Sequence, residues 1–381
     1  MDPARQATAK EYARRRRWLL LVDLAVNAAW LAAWLALGWG PSVERSIALW
    51  TTNPWLVVLL FGAVFFLSFE IFDIPLSYYS DYVLPHRYGQ STQALTGWAK
   101  DQVLGLALGG VLGLPILEAL FWLLRTAGAA WWLWAGVGYF ALVVVLSLAG
   151  PVLIMPLFNK FVPLGDENAD LARRLEALAA RYHTRVSGVF RFDLSRRTKA
   201  ANAALTGIGA SRRIVLGDTL LSEFTRDEVE VVIAHELGHH VHNDIPFGIA
   251  VSVALTLAGL YLAAAGLDWA AGALGFAGPA DVGALPLMAV IFGVFGLVTL
   301  PLNNAYSRWR EVRADQFALA ATQNPDAFAA AMTRLANQNL AEADPDAWVV
   351  WLLYSHPPIR ARLAMAAAWQ AAPRAPAGFH A

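Results

Sequence analysis

The chain has 381 residues, 57% of them apolar and only 15% charged, with a mean hydropathy of +0.46. An average soluble protein carries roughly 25% charged residues, so disorder, a collagen-like fibre and a small disulfide scaffold are excluded, and an ordinary water-soluble enzyme fits poorly. The formal net charge is zero, which leaves no basic field to attract nucleic acid, and the absence of cysteine excludes disulfides, thiolate metal sites and cysteine nucleophiles.

A membrane span needs roughly 20 mostly apolar residues. Six runs qualify, at about 18–39, 55–76, 103–124, 130–155, 245–267 and 285–303. Each could be read as a helix buried in a large soluble core, but six together with so little charge speak for lipid. The 16 tryptophans agree, because tryptophan favours the headgroup zone. The expected fold is mainly α and polytopic; the stretch 48–84 is long enough to hide a seventh span.

Arg14 to Arg17 precede the first run. That run is too long for a typical signal-peptide core and more spans follow, so it reads as an uncleaved span with arginines that set orientation. Threading six spans from a cytoplasmic N-terminus leaves only Arg45 and Arg125 outside. Segments 156–244 and 304–381 then face the cytoplasm. Only four of the 29 basic residues are lysine, and alanine and glycine abound, a bias that GC-rich bacterial coding produces; a bacterial inner membrane is the expected location. Asp23, Glu70, Asp73 and Glu118 lie inside or beside the runs. A carboxylate in mid-span costs about 2.5–3.5 kcal/mol, so these residues either bond helix to helix or line a hydrated cavity.

Residues 1–155 thus form an N-terminal membrane region of about four spans, and 156–381 a second region with two further spans and cytoplasmic helices. In 167–183, Leu171, Leu175, Leu178 and Tyr182 recur at helical spacing. Val186–Phe192 and Arg213–Leu216 read as short strands, and Ala201–Ala210 as an extended edge. The Pro/Ala-rich tail after about 370 reads as loose.

Thr225 and Glu228 make a capping box, flanked by Phe224 and Val229 at staple positions, and predict a helix over 226–243. On it His235 and His239 stand four apart, on one face, where two imidazoles can converge on a tetrahedral Zn²⁺. Glu236 lies on the adjacent flank, placed to take a proton from water that the metal acidifies toward a pKa of about 7. His240 and His242 fall off the metal-facing side.

The third ligand must be His, Asp or Glu. Glu311 and Asp315 lie one helical turn apart in a charged stretch just beyond the last apolar run. Glu311 can ligate while Asp315 accepts the second N–H of a ligating histidine. The competing reading is a solvated face on which Arg308 and Arg313 pair with these acids. Two histidines and one glutamate leave a fourth position open, which is the catalytic arrangement of one Zn²⁺ per chain.

In this pattern the chain resembles the type I integral-membrane CAAX prenyl endopeptidases, zinc metallopeptidases of the gluzincin kind. Further matching stretches are Leu84 to Ser91 with Trp98 and Asp101, Pro156 to Lys160, Asp193 to Arg197, Asn202-Ala203 with Gly207, Asp218 to Leu221, and Ser355 to Pro358 with Arg362. The resemblance implies a helical barrel of six or seven spans around a hydrated chamber, with a small α+β metalloprotease domain on the cytoplasmic side. It implies that Asn202 and Ala203 lie on an edge strand that pairs with substrate backbone, that His356 stabilises the oxyanion, and that Arg362 supports the site. The substrate class it implies is a C-terminal peptide next to a prenylated cysteine. Where family members often carry a hydroxyl or aromatic residue after Asn-Ala, this chain has Ala204-Leu205. Two other functions stay open: a quality-control protease of misfolded membrane proteins, and a transporter or channel that keeps zinc as a structural plug.

Overall fold

The computed structural model describes residues 1–207 and 209–371; the expected loose tail lies outside the described residues. The chain is mainly helical with one small sheet, as expected. Among the described residues six helices are long and apolar enough to cross a membrane: Pro3–Ala36, Pro54–Arg87, Leu95–Thr126, Gly128–Phe158, Asp244–Ala270 and Val282–Thr322. Between 0% and 28% of each one's most apolar window is buried in protein, which leaves apolar surface for lipid to cover. The stretch 48–84, which could have hidden a seventh span, holds one long helix, Pro54–Arg87, and the ten-residue helix before it, Trp39–Ala48, is too short to cross.

Two boundaries differ from expectation for a physical reason. The first helix begins at Pro3 rather than near 18, because arginine propagates a helix well while lowering hydropathy. The last apolar run is only the first half of a 38-residue helix, Leu285–Thr322. Pro301 lies in its interior, and the charged stretch with Glu311 and Asp315 continues it without a break.

The chain forms two compact units. One comprises Arg14–Ala149 and Pro246–Leu300. Its core is aromatic: Trp30, Trp34, Phe61, Phe65 and Phe121 are buried together, and Trp30 lies 4.5 Å from Phe65 between ring centres. Within this unit Asn27 donates to Asp23 Oδ1 at 3.0 Å and Gln102 to Ser77 Oγ at 2.9 Å. The Leu84–Ser91 stretch is tied by His86, whose ring nitrogens meet the carbonyls of Tyr82 and Gln93 at 2.5 and 3.0 Å.

The other unit comprises Met1–Ala13, Gly150–Ile245 and Pro301–Ala381. It holds a four-stranded sheet of β1 (Phe161–Pro163), β2 (Val189–Phe192), β3 (Ala203–Thr206) and β4 (Arg213–Gly217) in the order β1-β2-β4-β3. β2 and β4 run parallel with Val189 opposite Ile214, and β3 joins β4 antiparallel with Ala203 opposite Leu216. Among the described residues β3 therefore has one edge without a strand partner. Leu171, Leu175 and Leu178 of the Ala169–Arg181 helix pack with Ile214 and Leu216 of the sheet and with Val231 and Ala234 of the Arg226–Val241 helix in one buried core. Gly207 closes the β3 edge at φ +86°, where an added Cβ would meet the Ser211 carbonyl at 2.5 Å.

The Asp193–Arg197 and Asp218–Leu221 stretches serve this sheet. Asp218 accepts from the Ser195 amide at 2.8 Å, and Thr219 Oγ1 donates to the Ala200 carbonyl at 2.8 Å. Asn339 accepts from the Ala201 amide at 2.9 Å. The lead into β3 is thus held from two sides.

Candidate metal centre

The Arg226–Val241 helix starts where its capping box says it should. Thr225 Oγ1 accepts from the Glu228 amide at 3.3 Å, and the Glu228 carboxylate accepts from the Thr225 amide at 2.7 Å. Such a cap stabilises a helix by about 1 kcal/mol. Phe224 and Val229, the staple pair, are both buried. Arg334 of the Pro325–Gln338 helix donates to Glu228 at 3.2 Å, which fixes this end of the helix against its neighbour.

Gly238 lets the Leu285–Thr322 helix approach. A Cβ there would stand 3.1 Å from Ala314 Cα and 3.2 Å from Phe317 Cβ. The close crossing sets Glu311 and Asp315 opposite the two histidines.

Ligand atoms of His235, His239 and Glu311 all lie within 4.8 Å of one another. The two Nε2 atoms are 3.2 Å apart; His235 Nε2 is 3.2 Å from Glu311 Oε2, and His239 Nε2 is 3.4 Å from Glu311 Oε1. A tetrahedral zinc with bonds of about 2.0–2.1 Å holds its ligand atoms roughly 3.3 Å apart. The triangle therefore fits that ion. Its chemistry fits too. Each ring turns Nδ1 to a carboxylate, His235 to Asp315 Oδ1 at 2.8 Å and His239 to Asp244 Oδ2 at 2.7 Å. A ring that donates from Nδ1 can present its Nε2 lone pair to a metal. Glu311 Oε2 is a buried acceptor with no hydrogen bond, as a carboxylate awaiting a cation would be.

Arg362, buried, donates through Nε to Asp315 Oδ2 at 2.8 Å. The cation that balances Asp315 is therefore Arg362. Arg308 turns away, donating to the carbonyls of Val350 at 2.9 Å and Tyr354 at 2.6 Å, and Arg313 lies over the Trp309 ring at 5.0 Å. His356 reaches the Glu311 carboxylate, with Nε2 3.3 Å from Oε1. His240 and His242 take no part in the triangle; the His242 ring meets Phe317 edge-on, 5.9 Å between centres.

Burial pushes the Glu236 carboxyl above its ordinary range, and the neighbouring histidines pull it back only in part. For His235, burial works against the charged ring, but the Asp315 and Glu311 carboxylates beside it prevail and hold its pKa up to about 9. The pocket thus holds a positive charge firmly.

Asn202 is exposed at the start of β3 and Ala203 is buried within it. β3 packs beside the Arg226–Val241 helix, and among the described residues no strand pairs with its edge away from β4. Asp244 was not foreseen. Its position as the first residue of the next helix disguises it; the one sequence hint is Asn243, a residue type that tolerates positive φ and takes φ +54° just before it.

A spanning chain with this arrangement of two histidines, a helix-borne glutamate and a distant carboxylate is an integral-membrane metalloendopeptidase. Residues 166–370 match the model of peptidase family M48, and residues 1–160 match a model described as CAAX prenyl protease N-terminal, five membrane helices. The chain therefore belongs to peptidase family M48. Four helices of spanning length precede residue 160 here, with the short Trp39–Ala48 helix between the first two. Among similar proteins, an uncharacterised metalloprotease of Bacillus subtilis, YhfN, is 30% identical over 95% of this chain and 85% of its own. The CAAX prenyl protease 1 homolog of Arabidopsis thaliana is 33% identical over 90% of this chain and 81% of its own. The crystal structure of S. mikatae Ste24p superposes with a TM-score of 0.86 at 25% identity, covering 96% of this chain and 90% of that one.

Proposed function

We propose that this protein is a zinc endopeptidase that cleaves near the C-terminus of prenylated CAAX-type substrates. The observation that carries the proposal is the His235–His239–Glu311 triangle with Glu236 on the same helix. The names of the Arabidopsis relative and its homologues support the substrate class. Zinc, when bound, supplies a Lewis acid for water and for the scissile carbonyl.

The chain's own groups do the rest. Glu236 takes the proton of the attacking water on its carboxylate and passes it to the leaving amine. His356 donates from Nε2 to the oxygen on which charge develops. Asn202 and Ala203 offer the free edge of β3, to which an extended peptide adds as a further strand. Asp315 and Arg362 hold His235 in place.

The finer topology belongs to the same reading. The N-terminus and the catalytic segments face the cytoplasm of a bacterial inner membrane, six spans cross it, and residues 1–155 and 156–381 divide the chain into membrane and metalloprotease regions. The bias of arginines toward one side supports the orientation.

The test is cleavage of a farnesylated peptide by the purified chain in detergent, beside the same peptide without the lipid. Prenyl-dependent cleavage that vanishes in Glu236→Gln is the expected result. Equal cleavage of the bare peptide, or of an unfolded membrane protein in preference, would move the substrate assignment to quality control.

A further inference from the structure

We propose that Asp244 and Arg310 are positioning residues for the ligand His239, a counterpart at the second histidine of what Asp315 and Arg362 do at the first. The inference rests on the metal reading above.

The two histidines have the same order of groups behind them. Behind His235 stand Asp315 and then Arg362. Behind His239 stands Asp244, its Oδ2 2.7 Å from Nδ1, and Arg310 makes an ion pair with the other oxygen of that carboxylate. Arg310 is buried, with 7% of its side chain exposed, and Asp244 nearly so at 12%. A buried carboxylate without a cation is costly, and a bidentate-capable guanidinium is the group that balances it best.

Arg310 is itself held from several directions. It donates to the His242 carbonyl at 2.8 Å, at the end of the His-Glu-x-x-His helix, and lies over the Trp309 and Tyr306 rings at 5.2 and 6.0 Å. It also adjoins Glu311 in sequence. One turn of the Leu285–Thr322 helix therefore supplies both the carboxylate of the ligand triangle and the cation that fixes the opposite ligand's support. Asp244 begins the Asp244–Leu274 helix, where the N-terminal dipole favours a negative charge.

With Oδ1 on Arg310, Asp244 keeps one orientation, and Oδ2 can accept only from the ring's Nδ1–H. That locks the tautomer and the ring plane of His239 and leaves Nε2 to the metal.

The experiment is equilibrium competition for zinc between a chelator of known affinity and the full chain in detergent. Wild type, Asp244→Ala, Asp244→Asn, Arg310→Gln and Asp315→Ala are compared, each checked for folding by its metal-free melting curve. The visible spectrum of the cobalt-loaded forms is recorded in parallel. Asp244→Ala and Asp315→Ala are each expected to weaken zinc by about 10–100-fold, and Asp244→Ala to alter the cobalt bands. Asp244→Asn keeps an acceptor of the same shape and is expected to lose less; if Asp244→Ala does not fold, Asp244→Asn and Arg310→Gln decide. Wild-type affinity and wild-type cobalt bands in the folded Asp244 variants would overturn the proposal. A wild type that binds no stoichiometric zinc would instead overturn the metal reading itself.

Discussion

His356 Nε2 lies 3.3 Å from Glu311 Oε1, and on its other side its Nδ1 lies 2.9 Å from Ser355 Oγ. The ring is thus fixed at the edge of the ligand triangle without belonging to it. His356→Ala should lower kcat by about 10²–10³-fold, the usual effect of removing one oxyanion donor, while zinc content stays at the wild-type level. Steady-state kinetics with elemental analysis of the same preparations check this; loss of the metal would make His356 a ligand instead.

Glu236 is the proton carrier. Glu236→Gln should keep the metal and lose about 10²–10⁴-fold in kcat. The sign of the pH dependence follows from protonation: once the carboxyl carries its proton it cannot accept another, so kcat/KM should fall as pH falls through its pKa. A pH–rate profile with no acid limb would contradict this.

Zinc must compete with a proton for the site. In the metal-free chain the His235 pKa is held up to about 9, against the pull of burial, by Asp315 and Glu311. Below that value binding releases a proton, so apparent zinc affinity should fall by up to about tenfold per pH unit on acidification. Chelator competition at several pH values between 6 and 9 reads this directly; an affinity that does not change with pH would show that His235 is not a ligand.

Gly238 permits the close crossing of the two helices that carry the ligands. Gly238→Ala would place a Cβ 3.1 Å from the Ala314 Cα. The helices must separate, and overpacking of this kind typically destabilises by about 1–3 kcal/mol. Melting temperature and zinc affinity should therefore fall together. A variant with both unchanged would mean that the crossing has slack.

Arg362 balances Asp315, which is fully buried. Arg362→Met leaves that charge with only His235 beside it, and breaking a buried pair in this way costs about 3–5 kcal/mol. Asp315→Asn in the same background should recover part of the loss, because the charge is then gone. Thermal unfolding of the single and double variants checks the order.

Much of this was legible in the residues because local patterns carried it. The capping box at Thr225 and Glu228, the staple at Phe224 and Val229, and the apolar runs are short-range signals that the fold obeys. The position of Glu311 and Asp315 one turn apart announced a shared helical face. What escaped was long-range or hidden at a chain reversal. Nothing local marks Arg362 as the partner of Asp315 in preference to Arg308 or Arg313; packing of the Ile359–Ala371 helix decides it. Asp244 reads as the start of the next helix, and only the positive φ of Asn243 before it hints at its contact with His239. The boundary near residue 18 misled because hydropathy marks where lipid begins, while the helix itself runs from Pro3.

Elemental analysis of the purified full chain, beside Glu311→Ala, reaches the central claim most directly. One zinc per wild-type chain and its loss in the variant is the predicted result. A wild type without stoichiometric metal, or a Glu311→Ala chain that retains it at the wild-type level, would contradict a site built on His235, His239 and Glu311.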